Sequence, residues 1–184
     1  MRKMKLALIT IIAVLLGSAS AYAVTVKKRI EAPGLPPQIW EHAGGFCAIN
    51  TWHPAVADCV EEKNGDEVFR TLTLKDGGKI REKLTGTDDH SYSYEIVDGP
   101  FPVKNYKAKL WVEVDDEPDR SVIYWQADFD PEGASEDEAK KKITAILGDG
   151  VKGIKKQAIA AFDAREAAAG KAPATSDKDD DDDD

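Results

Sequence analysis

The segment SEDEAKKKITAILGDGVKGIKKQAIAAF, residues 135–162, decides the fold. Its apolar residues recur at spacings of three and four, which is the period of an amphipathic α-helix. Ser135 and Glu138 have the spacing of a capping box, so we predict a helix that begins there and runs for about 25 to 30 residues. Three glycines interrupt the pattern: Gly148, Gly150 and Gly153. Each costs about 1 kcal/mol relative to alanine, which predicts a kink or the close approach of another segment.

Six strand-like segments separated by turn residues precede this helix. They span residues 56–62, 68–74, 79–85, 91–97, 106–114 and 120–129. The connections between them are so short that they can join only antiparallel neighbours. Residues 24–30 alternate in the same manner and supply one more strand. The sequence therefore predicts an antiparallel meander of about seven strands.

Two short helices are predicted between the first strand and the meander. Pro36 and Pro37 suit a first helical turn and Gly44 begins a glycine pair that ends it, which gives a helix over about 37–43. Residues 46–51 form the second helix, which must end before Pro54 because a residue that precedes proline is pushed out of the α region.

These elements predict an α+β fold in which a curved sheet of about seven strands surrounds the long C-terminal helix. A sheet with one apolar face must bury that face against the apolar stripe of the helix. A curved sheet encloses more volume than one helix stripe fills. We therefore expect a cavity between the sheet and the helix.

The N-terminus has the pattern of a secretory signal peptide. The basic start MRKMK precedes an apolar run, and small residues ending in Ala21-Tyr22-Ala23 follow it. The apolar run is short for a membrane span. Residues 1–23 are therefore predicted to be cleaved, leaving an exported domain over 24–168, without stable membrane insertion, in a bacterial periplasm.

Residues 169–184 end in six aspartates and are predicted to be a disordered acidic tail. A solvated solubility tail is the favoured interpretation, and loose binding of hard cations is the alternative. The whole chain has a formal net charge of −9. Its sequence contains no basic patch interleaved with aromatic residues, so nucleic-acid binding is disfavoured.

The segment FCAINTWHPAVADC, residues 46–59, holds both cysteines, Cys47 and Cys59. In an exported chain a disulfide between them is the favoured interpretation, and two free buried thiols are the alternative. There is no CxxC motif and no second ligand pair at zinc-like spacing. The three histidines share no metal-binding spacing either, so neither a metal site nor a cofactor is predicted.

The order of elements resembles the START-like helix-grip superfamily, and more narrowly its branch related to polyketide cyclases and dehydrases. The stretches that carry the resemblance are WHPAV (52–56), LTLKDGGKIREKL (72–84), YSYEI (92–96), PFPVKNYKA (100–108) and SVIYWQADFDPEG (121–133). This resemblance implies a ligand-sized cavity and leaves catalysis open, because the superfamily holds many binding proteins and few enzymes. We therefore predict no catalytic residue.

Within this branch, an exported chain with the WHPAV-x-x-C stretch is similar to the periplasmic accessory proteins of bacterial methanol dehydrogenase systems. The similarity implies a role in methanol oxidation, with methanol dehydrogenase or its cytochrome c acceptor as the partner. That role is either to assist contact between the two proteins or to help the dehydrogenase mature.

Strand alternation places Arg70 and Glu82 on the apolar face of two neighbouring strands. If Leu74 pairs with Ile80 across the turn, the two charged residues are diagonal neighbours. A charged pair among leucines is costly unless it is matched, so it forms a buried salt bridge or contacts a polar ligand group.

Aromatic residues share this face and predict an amphipathic pocket for a small aromatic or lipid-like ligand. The full set of predicted cavity residues is Trp52, His53, Arg70, Glu82, Tyr92, Tyr94, Tyr106 and Trp125. Core packing is the alternative for each aromatic residue taken singly. For His53, the local sequence offers only Asp58 as an acid partner. Trp111 falls on the opposite, polar face and is predicted to be an exposed contact for a protein partner.

Three functions follow from these observations. The favoured one is a non-catalytic periplasmic accessory protein with a cavity for a small hydrophobic ligand. The second is a cyclase-like, dehydratase-like or hydrolase-like enzyme that uses His53, Arg70 and Glu82. The third is a periplasmic carrier of lipids or aromatic compounds without a fixed protein partner.

Overall fold

A seven-stranded antiparallel sheet faces one long helix in the computed structural model, which describes residues 23–170. The strands are β1 (Val24–Pro33), β2 (Val56–Asn64), β3 (Glu67–Leu74), β4 (Lys79–Asp88), β5 (Ser91–Asp98), β6 (Val103–Val114) and β7 (Arg120–Pro131). Their order across the sheet is β1-β7-β6-β5-β4-β3-β2. The predicted helix-grip architecture and its meander are confirmed. All but residue 23 of the predicted signal peptide, and all but two residues of the predicted tail, lie outside the described residues, and both stay predictions.

Three helices complete the fold: α1 (Pro36–Ala43), α2 (Ile49–Trp52) and α3 (Glu136–Ala168). The predicted capping box forms at the start of α3, where Glu138 N donates to Ser135 Oγ at 3.3 Å and Ser135 N donates to Glu138 Oε2 at 3.0 Å. Helix α3 has 33 residues and exceeds the predicted length, because alanines after residue 162 continue it at little cost. Within residues 23–170 no helix combines the length and apolar character of a membrane span.

The two short helices differ slightly from their predicted bounds. Helix α1 begins at Pro36, one residue before the predicted start. Residues 46–48 form turns, so α2 is only four residues long. His53, which follows α2, has extended backbone with ψ 118°, as expected for the residue before Pro54.

The core lies between the inner face of the sheet and one side of α3. The sheet contributes Leu72, Ile80, Tyr92, Tyr94, Tyr106, Ala108, Leu110, Val112, Ile123, Trp125, Ala127 and Phe129, and α3 contributes Ala139, Ile143, Leu147, Val151, Ile154 and Ala158. The α3 residues keep the predicted spacing of three and four. Burying each large apolar side chain contributes about 1.5 to 3 kcal/mol.

Two of the three helix glycines mark close approaches of other residues to α3. A Cβ at Gly150 would overlap the Trp125 ring, and a Cβ at Gly153 would overlap the carbonyl oxygen of Trp52. At Gly148, in contrast, the nearest atom is Lys28 Cε at 3.9 Å, an ordinary contact distance. The predicted close approach is therefore confirmed at two positions. It fixes α3 against α2 and β7.

The register between β3 and β4 differs from the predicted one. Leu72, rather than Leu74, pairs with Ile80, and Arg70 stands directly opposite Glu82 instead of diagonally. Gly77 has φ +88°, and Leu74 N donates to Gly78 O at 2.8 Å. Leu74 is therefore opposite Gly78 instead of Ile80, and the turn is shorter than predicted. A shift of two residues keeps every side chain on its predicted face.

The predicted disulfide between Cys47 and Cys59 is present, with a Cα–Cα distance of 5.5 Å. It joins the turn before α2 to the edge strand β2. We expect Cys47→Ala with Cys59→Ala to lower the free energy of unfolding by about 3 kcal/mol, because the unfolded chain gains the entropy of the opened loop. Urea denaturation of oxidised protein and of the double variant measures the difference. A difference below about 1 kcal/mol would show that the bridge constrains little.

Candidate functional site

A cavity of about 460 Å³ lies between the sheet and α3. Its lining residues come from α2, β2, β3, β4, β5, β6, β7, α3 and three loops. They are Ile49, His53, Ala55, Val56, Leu72, Leu74, Asp76, Gly78, Ile80, Glu82, Tyr94, Ile96, Pro100, Phe101, Tyr106, Trp125, Lys142 and Ile146. Most are apolar, and the volume is that of a pocket for a small organic molecule.

The structure brings five of the eight predicted cavity residues to this lining. These are His53, Glu82, Tyr94, Tyr106 and Trp125. The remaining three, Trp52, Arg70 and Tyr92, are buried behind it in the core. Trp52 packs edge-on against Trp125 with ring centroids 5.5 Å apart.

Arg70 and Glu82 form a buried ion pair beside the cavity. Arg70 Nε donates to Glu82 Oε2, and Arg70 Nη1 donates to the carbonyl oxygen of Phe46. The guanidinium lies over the Phe46 ring at 4.1 Å from its centroid and over Tyr94 at 5.0 Å. Since both side chains are almost fully buried, each charge depends on the other for compensation.

Glu82 is the only residue of the pair that lines the cavity. Its Oε2 is held by Arg70, and its Oε1 has no hydrogen-bond partner among residues 23–170. Burial raises the pKa of Glu82, and the charge of Arg70 opposes that shift without cancelling it. The cavity therefore presents one carboxyl oxygen that is available to a bound molecule.

Two tyrosines add hydroxyl groups to the same region. Trp125 Nε1 donates to Tyr94 Oη at 3.1 Å. Burial raises the pKa of Tyr94 and of Tyr106 far above the usual range, so both hydroxyls keep their protons at neutral pH. The buried polar groups of the cavity are thus few, and they belong to side chains packed in the core.

His53 lines the cavity, but both of its ring nitrogens are engaged. Ala55 N donates to Nδ1 at 3.2 Å, so Nε2 carries the proton and donates to the carbonyl oxygen of Ile146 at 3.1 Å. The predicted acid partner, Asp58, is therefore not the partner of this ring. His53 connects α2 to α3 and is positioned for a structural role.

Burial lowers the pKa of His53 below its ordinary value of 6.5, against smaller opposing contributions from the Ile146 carbonyl and Asp149. The folded state therefore prefers the neutral ring. Its contribution to stability is complete above the unfolded-state pKa and is lost as the pH falls through the lower folded-state pKa.

We expect wild-type protein to lose more unfolding free energy between about pH 7.5 and pH 5 than the variant His53→Gln, which cannot take up this proton. Urea denaturation at both pH values measures the two losses. Glu82 and every other titrating group are common to both proteins, so the difference isolates His53. Equal losses in the two proteins would contradict a neutral buried histidine.

The mouth of the cavity is formed by residues that the sequence pattern did not predict as cavity residues. Asp76 lies in the β3–β4 turn, Pro100 and Phe101 lie in the β5–β6 loop, and Lys142 lies on α3. Lys142 Nζ is 5.4 Å from the centroid of the Phe101 ring. Strand alternation gives no information about loop residues. The helical spacing places Lys142 outside the apolar stripe of α3, which predicts an exposed residue.

Trp111 lies on the outer face of the sheet, as predicted, but its indole is half-buried rather than exposed. It stacks on Tyr124 with centroids 4.9 Å apart, and Nε1 donates to Glu113 Oε1 at 3.0 Å. Lys27 Nζ lies 5.0 Å from the Trp111 ring centroid. Alternation along β6 alone could not predict this packing, because it depends on side chains of the strands β1 and β7.

No group of three or more His, Cys, Asp or Glu side chains in the part of the chain that the structure describes is arranged to hold a metal ion.

Residues 23–158 match the model of a protein family described as polyketide cyclase / dehydrase and lipid transport. None of the curated proteins matches the chain. Among solved structures, a protein named XoxI from Bacillus cereus is 30% identical, covers 73% of this chain and 95% of its own, and superimposes with a TM-score of 0.69.

Two more distant structures share the fold. The Zhui aromatase/cyclase from a Streptomyces species is 13% identical, with 82% of this chain and 99% of that chain covered and a TM-score of 0.62. A START superfamily protein from Mycobacterium smegmatis is 14% identical, with 73% and 96% covered and a TM-score of 0.60. At these identities the likeness concerns the fold alone.

Proposed function

Because the chain belongs to the polyketide cyclase / dehydrase and lipid transport family, we propose that it is a non-catalytic binding protein whose cavity holds a small hydrophobic ligand. The ligand carries a hydroxyl group that donates a hydrogen bond to Glu82. The observation that carries this proposal is the carboxyl oxygen Oε1, which has no partner among residues 23–170 although its residue lines an apolar cavity.

A neutral hydroxyl fits this position better than a cation. The positive charge of Arg70 is buried directly behind the carboxylate and compensates it already. A ligand ammonium would therefore lose its hydration without meeting an uncompensated negative charge. A hydroxyl loses less on entering the cavity and still forms a hydrogen bond to an ionised acceptor.

Naphthol and methylnaphthalene test this proposal because they differ chiefly in one hydroxyl group. We expect naphthol to bind about tenfold more tightly in a fluorescence or calorimetric titration, since a hydrogen bond to an ionised group contributes at least about 1.5 kcal/mol. In the variant Arg70→Met with Glu82→Leu, which keeps the cavity apolar, this preference should disappear. Equal affinities of wild-type protein for naphthol and methylnaphthalene would contradict the proposed hydrogen bond to Glu82.

The proposal extends to an accessory role in periplasmic methanol oxidation. Its support is the resemblance carried by the exported N-terminus and the WHPAV-x-x-C stretch. The partner is methanol dehydrogenase or its cytochrome c acceptor. Electron transfer from purified dehydrogenase to purified cytochrome c should accelerate when this protein is added. An unchanged rate of electron transfer, together with unchanged maturation of the dehydrogenase in a strain lacking the protein, would contradict the proposed role in methanol oxidation.

An enzyme of the cyclase or dehydratase type is the second candidate. The raised pKa of Glu82 favours it, because a carboxyl group that holds its proton closer to neutral pH can act as a general acid. Both nitrogens of His53 are engaged in hydrogen bonds, which argues against the histidine as its base. Conversion of a hydroxylated cavity ligand by wild-type protein, lost in Glu82→Gln, would favour the enzyme.

A carrier without a fixed protein partner is the third candidate. It shares the cavity and the ligand with the accessory role, so ligand binding alone does not separate the two. Protein purified from its own host separates them, because an accessory protein accelerates the methanol dehydrogenase reaction and a carrier does not.

A further inference from the structure

The mouth of the cavity contains one cation that has no ion-pair partner in the part of the chain that the structure describes, Lys142. This residue lines the cavity from the second turn of α3 and is itself exposed. No carboxylate of residues 23–170 lies within ion-pair distance of Lys142 Nζ, in contrast to Lys83 and Lys104, which pair with Glu67 and Glu132.

The position of Lys142 is defined by the β5–β6 loop. Its Nζ lies 5.4 Å from the centroid of Phe101, which also lines the mouth. Attraction between a cation and an aromatic ring holds the ammonium over this side of the opening. A ligand that enters between α3 and the β5–β6 loop must pass close to this charge.

The acidic residue of the mouth does not neutralise Lys142. Asp76 Oδ1 accepts a hydrogen bond from Gly78 N at 2.9 Å within the β3–β4 turn. Lys75, the neighbour of Asp76 in that turn, is exposed and does not line the cavity. Besides Glu82, Asp76 is the only carboxylate among residues 23–170 that lines the cavity. Asp76 and Lys142 are therefore the two charged side chains of the mouth among residues 23–170, and they form no ion pair with each other.

We propose that Lys142 is a specificity residue and that it selects ligands with a carboxylate at the end that stays in the mouth. The inference deepens the proposed function and rests on it, since it requires a ligand in the cavity. Together with Glu82 it defines a ligand class: an apolar frame with a hydroxyl at the buried end and a carboxylate at the opposite end.

Hydroxynaphthoic acid, with its two polar groups at opposite ends of the ring system, is the probe, and naphthol is the matched probe without carboxylate. We expect the full chain to bind the acid about fivefold more tightly than naphthol, the effect of one partly exposed ion pair. The preference should shrink at high salt, because screening acts on an exposed pair. Lys142→Ala should abolish it, and Lys142→Glu should reverse it.

Lys141→Ala is the matched control, since Lys141 is exposed on the same turn and does not line the cavity. It should keep the preference for the acid. If Lys142→Ala keeps the preference, or Lys141→Ala loses it to the same extent, the role of Lys142 is refuted. If naphthol still binds better than methylnaphthalene in that case, the proposed function stands. If wild-type protein binds none of the three probes, both the proposed function and the role of Lys142 are refuted.

Discussion

Replacing Arg70 by alanine is expected to lower the free energy of unfolding by about 3 to 5 kcal/mol, because Glu82 is then left charged and unpaired in the protein interior. Both side chains of the pair are almost fully buried, and the variant also removes the donor to the Phe46 carbonyl oxygen. Glu82→Ala should cost a similar amount by leaving Arg70 without its counter-charge. Urea denaturation at neutral pH measures both losses.

The double variant Arg70→Met with Glu82→Leu is the control that separates charge from packing. Apolar side chains of similar volume avoid both the desolvation and the unpaired charge, so its unfolding free energy should lie within about 2 kcal/mol of wild type. The remaining cost comes from the Phe46 carbonyl, which loses its partner. If the double variant were as unstable as Arg70→Ala, the pair would act through its shape and not through its charge.

Gly153→Ala is the second variant with a large expected effect. The added methyl group would overlap the carbonyl oxygen of Trp52, and neither backbone can move without displacing α2 or α3. We expect a loss of about 3 kcal/mol or more, at the upper end of the range for overpacked sites. Gly150→Ala should behave similarly, because its methyl group would overlap the ring of the buried Trp125.

Gly148→Ala provides the matched control on the same helix. Its added methyl group meets nothing closer than Lys28 Cε at 3.9 Å, so the higher helix propensity of alanine should stabilise the protein by about 1 kcal/mol. In thermal denaturation, Gly148→Ala should therefore be more stable than wild type. Gly150→Ala and Gly153→Ala should both be less stable than wild type, in either order. A destabilised Gly148→Ala would mean that the three glycines share another cause, such as helix bending.

Strand alternation predicted the inner face of the sheet correctly, and with it the lining residues Glu82, Tyr94, Tyr106 and Trp125. The predicted β3–β4 register was wrong by two residues, because Leu74 is opposite Gly78 and the turn is shorter than predicted. Because side chains alternate with a period of two, this error left Arg70 and Glu82 on the predicted face. The sequence therefore predicts which face of the sheet a side chain lies on more reliably than it predicts the pairing register of the strands.

The mouth of the cavity was not predictable in the same way. Phe101 belongs to a loop, and Lys142 is one of three consecutive lysines whose spacing alone makes them surface residues. Only the packing of α3 against the β5–β6 loop distinguishes Lys142 from Lys141. The half-buried state of Trp111 likewise depends on Tyr124 and Lys27, which come from other strands.

The helix glycines show how much of a close approach can be predicted. Their cost in a long amphipathic helix indicated that something approaches α3, and the structure places the Trp52 carbonyl and the Trp125 ring there. The sequence could not name these neighbours, because the contact joins segments about 100 residues apart in the one case and 25 in the other. The disulfide, by comparison, joins residues only 12 apart and followed from the presence of two cysteines in a chain predicted to be exported.

Native mass spectrometry of the protein purified from its own host tests the central claim most directly. We predict one small organic molecule bound per chain, released on unfolding, with at least one hydroxyl group by its fragmentation. The same measurement on Arg70→Met with Glu82→Leu should show this molecule lost or strongly reduced, although the variant is folded. A wild-type chain that carries no molecule, or a molecule retained equally by the double variant, would contradict a cavity that binds its ligand through Glu82.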